Sequence, residues 1–161
     1  MIIITGCARS GTSLTANIVH ACGAAMGEIN SNGENKYIRD QVVKPYLEGH
    51  GFDPLCQDNL PYPEAMQPFP SLRDIVTRAL GGQEPMAYKG AKTPHFWNVW
   101  HEAFPMAKWV IVRRDREQIA RSCQRTVFMH KRHSLDEWRE WVDAHLARFA
   151  EMRDTVDYIE V

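Results

Sequence analysis

The chain has 161 residues, of which 44% are apolar and 24% charged, and its formal net charge at neutral pH is -1. This length and composition predict one globular domain, residues 1–161, with a core of its own. The small net charge gives no general attraction to nucleic acid or to an anionic membrane. No apolar run is long enough for a membrane span and the N-terminus lacks the regions of a signal peptide, so we expect a cytoplasmic protein.

Strand and helix patterns alternate along the chain. Short apolar runs predict strands at residues 2–5, 86–89, 108–112 and 157–161, and helical patterns lie between them. This alternation is typical of an α/β protein. We therefore expect a three-layer, P-loop-like fold with a central parallel sheet of about four to five strands flanked by helices.

The first two helices are marked by apolar spacing and by glycine. A helix over residues 11–22 should bury Leu14, Ile18 and Cys22, which are four residues apart, and should stop at Gly23. A second helix over residues 71–80 should end at Gly81.

Capping residues mark the later helices. Thr93 before Pro94 predicts a short helix that Thr93 caps. Asp115 should cap a helix that carries Ile119, Cys123 and Val127. A capping box of Ser134 and Glu137 should open a long final helix with an apolar stripe.

The segment between Phe52 and Pro70 predicts a long loop. It contains five prolines, which cannot continue a regular ladder of hydrogen bonds. We interpret it as a candidate flap on the substrate side, with a passive connector as the alternative. Candidate pocket walls are Phe52, Tyr62, Phe69 and Phe96. The four cysteines have no metal-ligand spacing and are interpreted as reduced thiols.

A glycine-rich loop follows the first strand. Its sequence is Gly6-Cys7-Ala8-Arg9-Ser10-Gly11-Thr12-Ser13, and a helix begins at its end. Strand, loop and helix in this order point backbone N–H groups and a helix N-terminus at one place, which predicts a phosphate site. The Walker A pattern is nearly met, but Thr12 stands at the lysine position, which weakens a kinase interpretation.

Two motifs in the chain resemble those of the sulfotransferase family. The run Arg9-Ser10-Gly11-Thr12-Ser13-Leu14 is similar to the family's 5′-phosphosulfate loop. The stretch 104–115 resembles the family strand that ends in an arginine, here Arg114, and is followed on the next helix by a serine, here Ser122. The resemblance implies that Arg114 and Ser122 bind the 3′-phosphate of the sulfate donor, 3′-phosphoadenosine 5′-phosphosulfate (PAPS).

A third stretch, residues 89–97, resembles the Glu-Lys-Thr-Pro segment of carbohydrate-type sulfotransferases, with Ala91 in place of the glutamate. The resemblance implies that Lys92 lies beside the bridging oxygen of the leaving phosphate, where a cation stabilises developing charge. His95 or Lys89 is the alternative. The family's later glycine- and basic-rich segment, which covers the nucleotide, has no counterpart before Val161. A minimal member, a truncated product and an inactive relative all stay open.

The resemblance implies transfer of a sulfuryl group from PAPS to a hydroxyl or amine of a small-molecule or carbohydrate acceptor, without a metal. Candidate general bases are Glu34 and His95, with Glu28 a weaker one. The alternatives are a P-loop nucleoside or small-molecule kinase, with Mg²⁺ held by Ser13 and an acidic residue, and a catalytically silent nucleotide-binding module. The acceptor and the oligomeric state stay open.

Overall fold

The computed structural model describes all 161 residues and contains one four-stranded sheet. The strands are β1 (Ile2–Gly6), β2 (Ala87–Lys89), β3 (Lys108–Val112) and β4 (Asp157–Glu160). They lie in the order β2-β1-β3-β4, and every neighbouring pair is parallel. The predicted strands and the parallel α/β sheet are therefore confirmed.

Six α-helices connect and cover the strands. They are α1 (Thr12–Ala21), α2 (Lys44–Gly49), α3 (Leu72–Leu80), α4 (Trp97–Ala103), α5 (Arg116–Gln124) and α6 (Leu135–Met152). A π-helix, Ile38–Val43, runs directly into α2, and 3-10 turns occur at Pro63–Ala65 and Thr93–Phe96. The π-helix and α2 were not predicted, because their apolar residues form no long stripe of helical period.

No helix in the structure is both long enough and apolar enough to cross a bilayer.

The two faces of the sheet pack against separate sets of side chains. Successive residues of a strand point to opposite faces. Ile3 and Trp109 accordingly lie in the larger core, with residues of α3 to α6. Ile4 and Val110 lie in a smaller core under α1. Helices cover both faces, as a three-layer fold requires, although one face has only α1.

The predicted helix ends at α5 and α6 are confirmed by their hydrogen bonds. The Asp115 side chain accepts a hydrogen bond from the Gln118 N–H. Ser134 and Glu137 form the reciprocal capping box at the start of α6. At the end of α3, Gly81 adopts the left-handed conformation that glycine favours. These ends depend on contacts within four residues, which is why the sequence predicts them.

The buried face of α1 was predicted wrongly. Leu14 is 67% exposed, Ile18 is 55% exposed, and Cys22 is exposed as well. The helix instead packs through Ala16, which is buried, against Gly33, where an added Cβ would lie 3.0 Å from that of Ala16. Close approach of α1 to the loop before the π-helix requires small side chains, so the larger apolar residues lie on the outside.

Two further helix predictions are corrected. Thr93 is not a cap, because it lies inside a 3-10 turn and Phe96 is the residue that flanks α4, without a side-chain cap. Val127 does not belong to α5. The helix ends at Gln124, where the Thr126 N–H turns back to the Cys123 carbonyl, and Val127 is 95% exposed.

Candidate active site

A cavity of about 260 Å³ opens at the carboxyl ends of β1 and β2. This is the edge at which open parallel sheets bind their ligands. Its walls are the loop after β1, the segment from Asn32 to Lys44, the start of the proline-rich loop, the segment after β2, and side chains on and before α6. The lining residues are Ala8, Arg9, Thr12, Ser13, Asn32, Glu34, Arg39, Lys44, Leu55, Cys56, Gln57, Lys89, Ala91, Lys92, Phe128, Met129, Trp141 and His145.

The loop after β1 is shaped as an anion site. A Cβ added at Gly6 would lie 2.6 Å from the Val112 carbonyl oxygen, so only glycine fits there. Gly11 flanks α1 with a φ of 109° and provides no side-chain cap for the first turn of the helix. The Ser10 Oγ is buried and has no hydrogen-bond partner. An uncapped helix N-terminus beside an unpartnered hydroxyl fits a phosphate or sulfate group.

Arg9 stands out within this loop. Its φ of 72° is in the left-handed region that non-glycine residues seldom occupy. Such strain concentrates at ligand-binding loops, where the surrounding structure holds it.

The structure brings together the two nucleotide motifs. The Arg9 Nε donates a hydrogen bond to the Ser122 Oγ at 3.1 Å, although these residues are 113 positions apart. The Arg114 Nη1 donates to the Arg9 carbonyl oxygen at 3.0 Å. Arg114 and Ser122 therefore meet beside the phosphate loop. The predicted nucleotide-binding residues that line the cavity are Arg9, Thr12 and Ser13, whereas Ser10, Gly11, Leu14, Arg114 and Ser122 do not line it.

Glu34 is held in the cavity wall by the backbone turn that precedes the π-helix. The Asn30 Oδ1 accepts the N–H of Glu34 at 3.1 Å. The Asn35 side chain donates to the carbonyls of Met26 and Ala79, and its Oδ1 accepts the Ile38 N–H. These bonds tie the turn to two other parts of the chain, so the position of Glu34 is determined by tertiary contacts.

Glu34 forms a buried ion pair with Lys89. Their Oε1 and Nζ atoms are 3.3 Å apart, with side chains 12% and 6% exposed. Burial would raise the pKa of Glu34, but the charges of Lys89, Lys92 and Arg39 together lower it below its ordinary value. Burial lowers the pKa of Lys89, Glu34 opposes that shift, and Lys92 and Arg39 add to it. Neighbouring positive charge therefore outweighs burial at Glu34, whereas burial is the main cause of the lowered pKa of Lys89.

Lys92 lines the cavity, but His95 does not. The His95 Nε2 lies 3.0 Å from the Nε2 of His145, whose Nδ1 lies 2.9 Å from the Trp141 carbonyl oxygen. Burial lowers the pKa of both rings, that of His145 to about 4. Both are therefore neutral. A carbonyl only accepts, so Nδ1 of His145 carries the proton and its Nε2 accepts from His95.

Several lining residues were missed by the sequence analysis. Arg39 and Lys44 enter the cavity wall from the π-helix and α2, and both pair with Asp40, at 3.1 and 2.7 Å. His145 also lines the cavity and was not among the predicted site residues. The only local signal is the four-residue spacing of Asp40 and Lys44, which many surface helices share.

The start of the proline-rich loop forms part of the cavity wall. Gln57 connects this loop to the segment before α6. Its Nε2 donates a hydrogen bond to the Phe128 carbonyl at 2.9 Å, and its Oε1 accepts one from the His130 N–H at 3.1 Å.

The aromatic lining of the cavity includes Phe128 and Trp141. None of the four aromatic side chains predicted to form pocket walls lines the cavity, so that prediction was wrong. The four are Phe52, Tyr62, Phe69 and Phe96.

Negatively charged groups are scarce around the cavity. Glu34 is the one carboxylate among the lining residues. No group of three or more His, Cys, Asp and Glu side chains with metal-ligand geometry occurs in the structure. Glu28, the weaker candidate base, is exposed and pairs with Lys36 at 2.6 Å outside the cavity.

Comparison with known families identifies the second half of the chain. Residues 86–160 match the model of a family described as sulfotransferase domain. The match runs from the start of β2 to the end of β4 and includes Lys92, Arg114 and Ser122. Comparisons with curated proteins and with solved structures gave no significant match. Residues 86–160 are therefore similar to a sulfotransferase domain, and the parallel α/β sheet is consistent with such a fold.

Proposed function

We propose that the protein is a PAPS-dependent sulfotransferase that transfers the sulfuryl group to a hydroxyl or amine of an acceptor. The observation that carries this proposal is the meeting of Arg9, Arg114 and Ser122 beside the phosphate loop. Two motifs with separate roles in donor binding lie far apart in sequence and adjacent in space. Both cores share one sheet, which supports the proposal that residues 1–161 act as a single nucleotide-binding domain.

The residues around the loop fit the donor. The unpartnered Ser10 hydroxyl, the first-turn N–H groups of α1 and the hydroxyls of Thr12 and Ser13 would bind the 5′-phosphosulfate. Arg114 supplies a planar, permanently charged donor group and Ser122 a hydroxyl for the 3′-phosphate. Arg9 lies between these two positions and would exchange its hydrogen bond with Ser122 for one to the donor.

The chemistry is an in-line displacement at sulfur. The acceptor oxygen or nitrogen forms a bond to sulfur while the bond from sulfur to the bridging oxygen breaks, and the nucleotide leaves with the electron pair. Lys92 and the loop N–H groups would stabilise the negative charge that develops on the leaving oxygens.

Glu34 is our candidate for the group that takes the acceptor's proton. It lines the cavity, whereas His95 lies behind His145 and makes no contact with the cavity. Because the pKa of Glu34 is lowered, the carboxylate is ionised at neutral pH and ready to accept. It takes the proton as the new bond to sulfur forms and the acceptor becomes more acidic. Lys89 holds the carboxylate in place.

Calorimetry with adenosine 3′,5′-bisphosphate tests the donor site. We expect binding without Mg²⁺, weakened about tenfold or more by Arg114→Ala and by Ser122→Ala, because each removes a hydrogen bond to a charged group. Matched controls are Arg78→Ala, on the exposed side of α3, and Ser71→Ala, at the exposed residue before that helix. Binding of ATP with Mg²⁺ alone, unaffected by the Arg114 and Ser122 variants, would contradict the proposal and favour a kinase.

Turnover separates an enzyme from a silent binding module. With radiolabelled donor and a panel of hydroxyl and amine acceptors, we expect transfer that falls about a hundredfold or more in Glu34→Gln, the usual range for loss of a general base. The bisphosphate should still bind to this variant. Nucleotide binding without transfer to any acceptor would show that the site is silent.

A further inference from the structure

The cavity is strongly cationic in a chain whose net charge is -1. Its lining includes five cationic side chains and the single carboxylate of Glu34. The cationic side chains are Arg9, Arg39, Lys44, Lys89 and Lys92. This concentration of charge is costly without a ligand, because like charges that converge on one cavity repel one another.

Three of these five cations already have a partner among the lining residues or a proposed task. Lys89 is paired with Glu34, and Arg9 and Lys92 belong to the donor side of the proposed reaction. Arg39 and Lys44 have neither. They lie on the segment that carries Glu34 into the wall, so they are on the acceptor side of the cavity.

Arg39 and Lys44 share one carboxylate. Both contact the Asp40 Oδ1, at 3.1 and 2.7 Å, with side chains 30% and 26% exposed. Two cations on a single carboxylate oxygen leave a positive charge that nothing in the wall balances. Asp40 does not line the cavity, whereas both cations do.

The position of these cations comes from an unusual helix. Arg39 lies in the π-helix Ile38–Val43 and Lys44 is the first residue of α2. The wider turn of a π-helix changes which side chains share a face, and such turns are frequent at functional sites. Arg39 also adds a minor contribution to the electrostatics of Glu34 and Lys89, so its positive charge acts on the ion pair.

We propose that Arg39 and Lys44 form a binding site for an anionic group of the acceptor. The acceptor is then a hydroxyl or amine compound that carries a carboxylate or a sulfate ester next to the reacting atom. The planar guanidinium of Arg39 suits either group, and Lys44 adds a second charge. This inference rests on the proposed function, because it takes Glu34 as the group that faces the acceptor nucleophile.

Matched pairs of acceptor analogues test this site. Each pair has one scaffold with and without its anionic group: 4-hydroxybenzoate and phenol, a glucuronate oligosaccharide and its carboxyl-reduced form, and a sulfated and an unsulfated disaccharide. Binding is measured by calorimetry with the wild-type chain saturated with adenosine 3′,5′-bisphosphate, and again without nucleotide. We expect the anionic member of at least one pair to bind about tenfold or more tightly than its neutral partner.

The variant Arg39→Gln/Lys44→Gln should abolish that preference and leave bisphosphate affinity within about twofold of the wild type, since neither residue is in the donor site. The matched control, Arg78→Gln/Lys108→Gln, removes the same charge from α3 and from the start of β3, away from the cavity, and should keep the preference. Thermal unfolding verifies that each variant is folded.

Three outcomes would overturn the inference: equal binding of both members in every pair, no binding of any anionic probe, or a preference that survives in Arg39→Gln/Lys44→Gln. Loss of the preference in the control variant would also count against it, because net charge would then explain the effect. Failure of the bisphosphate to bind contradicts the proposed donor instead, and the measurements without nucleotide still decide whether Arg39 and Lys44 bind an anion.

Discussion

The two sides of the cavity are built differently. The proposed nucleotide side consists of consecutive residues, Gly6 to Ser13, and two hydrogen bonds connect Arg9 of this loop to Arg114 and Ser122. The proposed acceptor side combines Glu34, Arg39 and Lys44 with Lys89, which come from two distant segments. On the proposed function, the first would bind mainly through backbone groups of a local motif, and the second through side chains whose charges depend on one another.

This difference predicts how each side responds to change. A backbone site tolerates most side-chain substitutions but not a change in the path of the chain. Removing one partner of a buried ion pair leaves the other charge uncompensated, so the cost depends on which other charges lie near the partner that is left. The predictions below test the contrast.

Glu34→Gln should destabilise the fold by about 3 kcal/mol, because Lys89 would remain buried beside Lys92 and Arg39 without a counter-charge. Lys89→Met should cost clearly less, since Lys92 and Arg39 still neutralise Glu34. Urea denaturation at pH 7 measures both free energies of unfolding. Equal costs, or a larger cost for Lys89→Met, would show that the excess of positive charge does not govern the acceptor side.

Acid should lower the free energy of unfolding through the buried pair His95 and His145. The pKa of His145 is lowered from 6.5 to about 4 in the folded chain, and that of His95 is lowered as well. The unfolded chain therefore binds more protons below pH 6.5, so stability falls as the pH drops from 6.5 towards 4. For His145 alone the loss at pH 4 is roughly 3 kcal/mol.

Urea denaturation between pH 7 and pH 4.5 tests this dependence. The variant His95→Gln/His145→Gln cannot titrate at these positions and should lose most of the slope between pH 6.5 and 5. His133→Gln, at an exposed histidine, should keep it. An unchanged slope in the double variant would mean that other groups cause the loss of stability.

Gly6→Ala should disrupt the nucleotide side. The new Cβ would lie 2.6 Å from the Val112 carbonyl oxygen and 2.8 Å from the Ser10 Oγ, which should cost about 1–3 kcal/mol and abolish most bisphosphate binding. Gly49→Ala is the matched control, since no atom lies near an added Cβ there. Normal nucleotide binding in Gly6→Ala would refute a backbone-built site.

The smallest effect is expected at Leu14. Because its side chain is 67% exposed and outside the cavity, Leu14→Gln should change stability by less than about 0.5 kcal/mol and leave bisphosphate affinity unchanged. Ala16→Leu, on the buried face of the same helix, should cost about 1–3 kcal/mol. Weaker nucleotide binding in Leu14→Gln would restore the role that the family motif implies for this position.

The amino-acid sequence by itself determined the local features of this protein. The four strands, the caps at Asp115 and Ser134 and the order of strand, glycine loop and helix all follow from interactions within a few residues. For that reason these features and the resemblance to a sulfotransferase domain could be predicted, while the nucleotide-binding roles of the loop, Arg114 and Ser122 stay predictions.

The tertiary structure alone decided which side chains meet. The exposure of Leu14, the place of His95 behind His145 and the entry of Arg39 and Lys44 into the cavity depend on contacts between residues far apart in sequence. A charged residue on a surface helix and one in a cavity wall have the same local pattern. The difference between them is the packing of the rest of the chain, which no short stretch of sequence contains.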